Sequence, residues 1–273
     1  MQGERYSWRF VLVLIATWTV LVYMLAPMFA ATPVSLTPTR YLAMPAASEI
    51  SFRHYENLFT NPKWLSSIWQ SLYIATFATI IAVVTGTLAA IGLWRLASRT
   101  SEFLRAFILL PIIVPAIVSA LAFFRIFADF GILDTVPGVV LAHAVLAAPY
   151  VVITVSTSLA NFDLKLEQAA RNLGATMREA LWLVVLPNVM PGVLSGAVFA
   201  FILSWDEIVV TLFVSRLNVF TLPRRLWDGM RDQYDPTIAA CATTLILLTV
   251  AGIMLHLFWS AARRHRLKAT EAT

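Results

Sequence analysis

Two acidic residues stand together inside an apolar run, Asp206 and Glu207 in FILSWDEIVVTLFVS. Burying one such charge in lipid costs at least about 2.5–3.5 kcal/mol on insertion scales, so the pair must face protein, water or a ligand. Counting about 1.5 Å per residue from Gly192, Asp206 lies roughly 21 Å into a 30 Å apolar core, on the outer side of its midplane. With Trp205 beside it, that depth suits a gate or transit site, and acidic lining favours a cationic substrate. Adjacent helical residues diverge by about 100°. One carboxylate is therefore read as a ligand contact and the other as a capping or ion-pair partner, with Arg125 or Arg216 as counter-charge.

The second constellation is a polar segment, residues 159–191, with the punctuation of two short helices. Asp163 can cap the first, and Gly174 stands where a left-handed residue would end it. Thr176 followed by Glu179 is a capping box, satisfying two orphan amides reciprocally. The second helix then runs through Ala180 to Leu186 until Pro187 halts it. Ala169 and Ala170 present little bulk and permit close approach by another surface, with Arg171 and Arg178 supplying charge around it. A hairpin packed only on its own chain fits the same residues.

Other chemistries lack their residues. The three lysines follow Pro62, Leu164 and Leu267, so no phosphate-binding Gly-Lys-Ser/Thr exists and ATP must be handled by a partner, if at all. His54, His143, His256 and His265 lack metal-ligand spacing, and His143 reads as a hydrogen-bonded packing residue. Gly192 to Gly196, GVLSG, has Val193 before its leucine and is no nucleophile elbow. The lone Cys241 cannot form an intrachain disulfide.

The elements that must position these groups are membrane helices. The chain is 59% hydrophobic and 13% charged, against roughly 25% charged for a soluble domain. Apolar stretches near the 20 residues that cross a bilayer recur along the whole length. We place all-α spans at about 9–31, 69–94, 105–127, 136–158, 192–215 and 237–260, in a single membrane domain covering 1–273. The first run is longer than a signal-peptide core and is read as a retained span. Pro111 and Pro115 in span three and Pro149 in span four predict bends, which fit a pathway and ordinary bundle irregularity equally. Phe52, Tyr55 and Phe59 predict a short surface helix before Asn61-Pro62, and Leu226, Trp227 and Met230 another after Pro223.

Six spans put both termini on one side. If that side is cytoplasmic, it carries Arg5, Arg9, Arg95, Arg99, Arg105, Lys165, Arg171, Arg178, Arg263, Arg264, Arg266 and Lys268, the majority of the 20 basic residues. The net charge of +5 is thus a topology signal, since no single basic stripe offers itself to nucleic acid.

Residues 168–187 resemble the EAA loop of ABC importer permeases: EAA, three residues, Gly, nine residues, an aliphatic, any residue, Leu-Pro. Ala169, Ala170, Gly174, Val184, Leu186 and Pro187 fall on it in register, with Gln168 at the glutamate position and Glu167 one residue early. The resemblance implies a type I importer permease in a bacterial inner membrane. Its residues 167–187, among them Glu167, Gln168, Ala169, Ala170, Gly174, Ala175, Leu186 and Pro187, would form the coupling helix that docks on a cytoplasmic ATPase dimer. It also implies a second permease subunit and an extracytoplasmic solute-binding protein, with ATP and magnesium used by the partner and no cofactor held by this chain. SWDEIVVTLFVS, FTLPRRLWDGMRDQYDPTIAA and LAHAVLAAPYVVITVSTSLANFDLKLEQAA are similar to permeases of spermidine/putrescine importers, which implies a polyamine cargo. Permeases for aminoethylphosphonate and opine-like solutes are similar too. An ion-gradient transporter acting alone is the competing class, against which the loop and the lack of a visible inverted repeat both count.

Overall fold

The structure, a computed structural model, describes residues 8–45, 49–96, 98–232 and 235–270, and for residues 232 and 261–270 the backbone alone. Arg5 lies outside the described residues, and of the basic segment 263–268 only the helical backbone is described. Every regular element among the described residues is helical. In chain order these are α1 (Trp8–Val34), α2 (Arg53–Thr60), α3 (Pro62–Leu96), α4 (Arg99–Ile113), α5 (Ala116–Asp129), α6 (Val136–Ala160), α7 (Leu164–Asn172), α8 (Met177–Ala180), a π turn at Leu181–Val185, α9 (Leu186–Asp206), α10 (Val209–Val214), α11 (Leu222–Asp232) and α12 (Thr237–Thr270).

Among the described residues five helical stretches are long and apolar enough to cross a membrane, and a sixth crossing requires α4 and α5 to count as one broken span. The bend that the prolines of span three predict is present at Pro115 and is a full break, since α4 and α5 meet at 103°. Val114 is extended, φ −71° and ψ 130°, because a residue preceding proline is pushed out of the helical region. Pro115 then takes the position before α5. Span five departs from a continuous helix as well. Its helix ends at Asp206, Glu207 is extended at φ −71° and ψ 113°, and α10 follows as a separate short piece.

The chain divides into two compact units, Met1–Leu65 with Leu226–Thr273 and Ser66–Arg225. In the first, α1 and α2 each pack on α12. No described α1 residue in the helix is buried, which fits a helix immersed in lipid or against another chain. The short helix expected before Asn61-Pro62 is α2; its packed face is His54 and Leu58, whereas Phe52 and Phe59 are exposed. His54 wins that place because its ring bonds the Thr39 carbonyl at 3.0 Å, satisfying a buried polar group.

In the second unit, α6 is buried on most of its surface and packs chiefly on α9. The core joins Ala82 and Ala90 of α3 to Val151, Val155 and Leu159 of α6 and Val189 and Ala200 of α9. Close approach depends on glycines. A Cβ on Gly196 would stand 2.6 Å from Thr154 Oγ1 and 3.0 Å from Val151 Cα, one on Gly86 2.8 Å from Val151 Cβ, and one on Gly192 against Ser158 Oγ. Gly192 and Gly196 are a small-xxx-small pair, the spacing that lets two membrane helices touch. The GVLSG sequence thus has a packing role, readable from its four-residue period.

Candidate functional site: a capped elbow and a broken span

Between α6 and α9 the chain forms an elbow. The Asp163 carboxylate accepts the Lys165 amide at 2.9 Å and starts α7. At its end Gly174 has φ +96°. The Gly174 amide donates to the Arg171 carbonyl at 3.0 Å and the Ala175 amide to the Ala170 carbonyl at 3.1 Å, the pair of reversed bonds that closes a helix through a left-handed glycine. Space around Gly174 is open, so backbone conformation alone demands glycine. Two residues on, the Thr176 amide donates to Glu179 Oε2 at 2.8 Å and the Glu179 amide to Thr176 Oγ1 at 3.3 Å, the expected capping box. The Thr176 hydroxyl also donates to Glu179 Oε2 at 2.8 Å, and the bonds from the Thr176 amide and then from its hydroxyl hold the exposed Glu179 carboxyl below its ordinary pKa.

Pro187 does not halt the second helix. Residues Met177–Asp206 form one continuous helical stretch, because the π turn at Leu181–Val185 intervenes and the Leu186 amide reaches back to Leu181. The wider turn reorganises the ladder just where the proline lacks a donor. The elbow is therefore the direct extension of span five rather than a loop attached to it.

Of the residues expected to dock a partner, Gln168 and Ala169 are exposed, Ala170 and Ala175 half-buried, and Gly174 exposed. Leu186 is half-buried against the core, and Pro187 is exposed. Glu167 is the exception. It is 4% exposed and its Oε1 lies 2.7 Å from Arg95 Nη1, at the end of α3. Arg95 also stacks 4.7 Å over the Trp94 ring, whose edge meets Phe162 at 6.1 Å. Glu167 thus faces the bundle, which leaves Gln168 and Ala169 beside it on the exposed side. Sequence reasoning missed the apolar part of that face: Leu173, 89% exposed, and Met177, 53% exposed, flank Gly174. An uncapped hydrophobe at a bend was the available signal.

The break in span five separates the two acids. Glu207 Oε1 accepts the Val210 amide at 2.9 Å, and its carbonyl accepts the Thr211 hydroxyl at 3.1 Å. Asp206 is exposed and Trp205 half-buried, stacked on Phe201 at 6.0 Å. Neither proposed counter-charge serves them: Arg125 pairs with Asp129 at 3.4 Å, and Arg216 lies 5.5 Å from the Phe124 ring. Behind the break, fully buried His143 bonds Ser204 Oγ at 2.9 Å and Thr211 Oγ1 at 3.0 Å, tying α6 to α9 and α10. Its reading as a packing residue is sound.

Beyond α10, the Asp134 carboxylate accepts the amides of Arg216 at 2.7 Å and of Leu217 and Asn218 at 3.1 Å each. Partial burial raises the Asp134 pKa, but the combined backbone amides of Arg216, Leu217, Asn218 and Val219 outweigh it and hold the group below its usual value. The Phe220 amide donates to Gln70 Oε1 and the Leu222 amide to Ser71 Oγ, each at 2.7 Å, pinning this segment to α3.

Comparison with known proteins places this arrangement. Residues 82–264 match the family described as binding-protein-dependent transport system inner membrane component. The chain is 33% identical to the spermidine/putrescine transport system permease protein PotC of Haemophilus influenzae, over 75% of this chain and 80% of that protein. It is 30% identical to the putrescine transport system permease protein PotI of Escherichia coli K12, over 97% of this chain and 95% of the relative. In fold it is similar to a chain of a bacterial ABC transporter involved in the import of alginate, with a TM-score of 0.70 at 16% identity, covering 94% of this chain and 98% of the other. A chain of the MetNI methionine ABC transporter gives 0.59 at 18% identity, covering 70% and 91%. The chain belongs to the inner-membrane permease components of binding-protein-dependent ABC importers.

Proposed function

We propose that this chain, as one transmembrane permease domain, moves a polyamine of the putrescine or spermidine kind into the cytoplasm. Movement is driven by an ATPase dimer that binds and hydrolyses magnesium-ATP. The observation that carries the reading is the elbow. Its bend is held by two caps, it continues into span five, and it turns Gln168, Ala169, Leu173 and Met177 away from the bundle. A small, rigid, partly apolar surface is what docking on a moving partner requires. Closure of the ATPases would then swing the elbow and the helices continuous with it between two openings. The elbow and both termini face the cytoplasm, and a second permease subunit and an extracytoplasmic solute-binding protein complete the assembly.

For the cargo, α9 ends at Asp206 with its last carbonyls turned toward the break. A helix C-terminus carries partial negative charge, and the exposed Asp206 carboxylate adds a full one beside it. An ammonium group is the complement of that site. The named cargo of the polyamine relatives agrees with this chemistry. The test is reconstitution of the complete transporter in vesicles, with labelled putrescine, spermidine and trehalose offered in turn. ATP-dependent uptake of a polyamine, blocked by excess unlabelled polyamine, is expected. Uptake of trehalose alone, the solute named for a 28% identical permease, would overturn the cargo.

A further inference from the structure

The elbow holds one buried charge, and its partner is on α3. Glu167 is 4% exposed and joined to Arg95 at 2.7 Å. Arg95 lies in the last turn of α3, a helix of 35 residues with no internal break. At the opposite part of the same helix, Gln70 and Ser71 accept the amides of Phe220 and Leu222 at 2.7 Å each. Phe220 lies in the segment between α10 and α11 and Leu222 opens α11, with α10 standing between them and the break at Glu207. From Arg95 back to Gln70 the helix covers roughly 37 Å at about 1.5 Å per residue.

We propose that the Arg95–Glu167 pair latches the elbow to α3, and that α3 acts as a rod carrying elbow movement to the 219–222 segment beside the broken span. Arg95 and Glu167 are then positioning residues for coupling. The proposal rests on the docking role given to the elbow above.

Three features favour a mechanical link over a charge that merely holds the fold. The pair joins two elements remote in sequence. Both ends of α3 are fixed by side-chain bonds rather than by apolar contact alone, so displacement at one end cannot be absorbed by sliding. Such bonds are directional and have discrete alternatives, as a two-state element requires. The Glu167 side chain is 6% exposed and that of Arg95 25%, so the carboxylate end of the pair is largely out of water, where the attraction is stronger.

The test uses the full transporter in vesicles, measuring solute transported per ATP hydrolysed. Arg95→Gln and Glu167→Gln are each expected to lower that ratio about tenfold while the ATPase still co-purifies. The exchanged pair Arg95→Glu with Glu167→Arg is expected to recover at least half of it. At the other end, Gln70→Ala with Ser71→Ala is expected to lower the ratio, and adding Glu167→Gln to cause no further loss, although sites so distant ordinarily act independently. Parental ratios in the single variants, an exchanged pair that inserts normally yet stays as defective as the singles, or losses that multiply between the two ends would each overturn the rod. Ala170→Trp separates this claim from the docking claim. Parental uptake by that variant removes docking, whereas a defect there beside parental latch variants removes the rod alone.

Discussion

Glu207 Oε1 accepts the amide of Val210 at 2.9 Å, so this carboxylate is engaged by the short helix that follows it. Asp206, one residue earlier and exposed, has no such bond among the described residues. Two adjacent acids in an apolar run thereby acquire different duties, because the backbone turns between them.

The two positions should respond differently to neutralisation. Asp206→Asn removes the charge at the end of α9 and is expected to raise the KM for polyamine uptake about tenfold, the effect of losing one charged hydrogen bond of roughly 1.5 kcal/mol. Glu207→Gln keeps an oxygen for the Val210 amide and is expected to alter KM less than twofold. Kinetics of labelled putrescine uptake decide it, and equal responses at both positions would remove the division of labour.

At Gly174 the demand is conformational. With φ at +96° and open space around the residue, Gly174→Ala meets only backbone strain of about 1–2 kcal/mol and is expected to lower uptake partially. Gly174→Pro deletes the amide that bonds Arg171 and imposes φ near −65°, so uptake should be lost while insertion, read by membrane immunoblot, is retained.

Much of this elbow was legible in the sequence because caps are local. Asp163, Gly174, Thr176 and Glu179 act within a few residues of themselves, and each makes the bond its spacing predicts. The continuation through Pro187 was not legible, since a π turn depends on how Val185 and Leu186 pack on α6 and α3. The two broken spans show the same division. Val114 lies before a proline and carried a signal, whereas Glu207 interrupts an apolar run whose composition reads as helix throughout. The Arg95–Glu167 pair joins two residues 72 positions apart in sequence, and no local rule marks it.

Close packing of α9 on α6 gives a stability prediction. Gly196→Val would place carbon against Val151 Cα and Thr154 Oγ1, backbone and neighbouring side chain that cannot both retreat. Overpacking of this kind costs about 1–3 kcal/mol. Gly92→Ala meets nothing within 4 Å and should be neutral. Thermal unfolding of the detergent-solubilised complex should separate the two, and equal midpoints would mean that α6 and α9 do not meet at Gly196.

The Asp134 site predicts a pH dependence whose sign follows from its amide partners. Its carboxyl is held below the ordinary value by the bonds from residues 216–219, despite the opposing effect of partial burial. A group whose folded pKa is depressed contributes stability above its unfolded pKa and loses it as pH falls through the folded one. Protection of the Arg216 and Leu217 amides against hydrogen exchange should therefore hold through neutral pH and decline only below about pH 4, the ordinary carboxylate range. Asp134→Asn keeps one acceptor oxygen but loses the charge. It should show the weakened protection already at neutral pH and no acid transition of its own. A transition that persists unchanged in Asp134→Asn would assign the acid sensitivity to another carboxylate and leave the 215–218 turn without its electrostatic clamp.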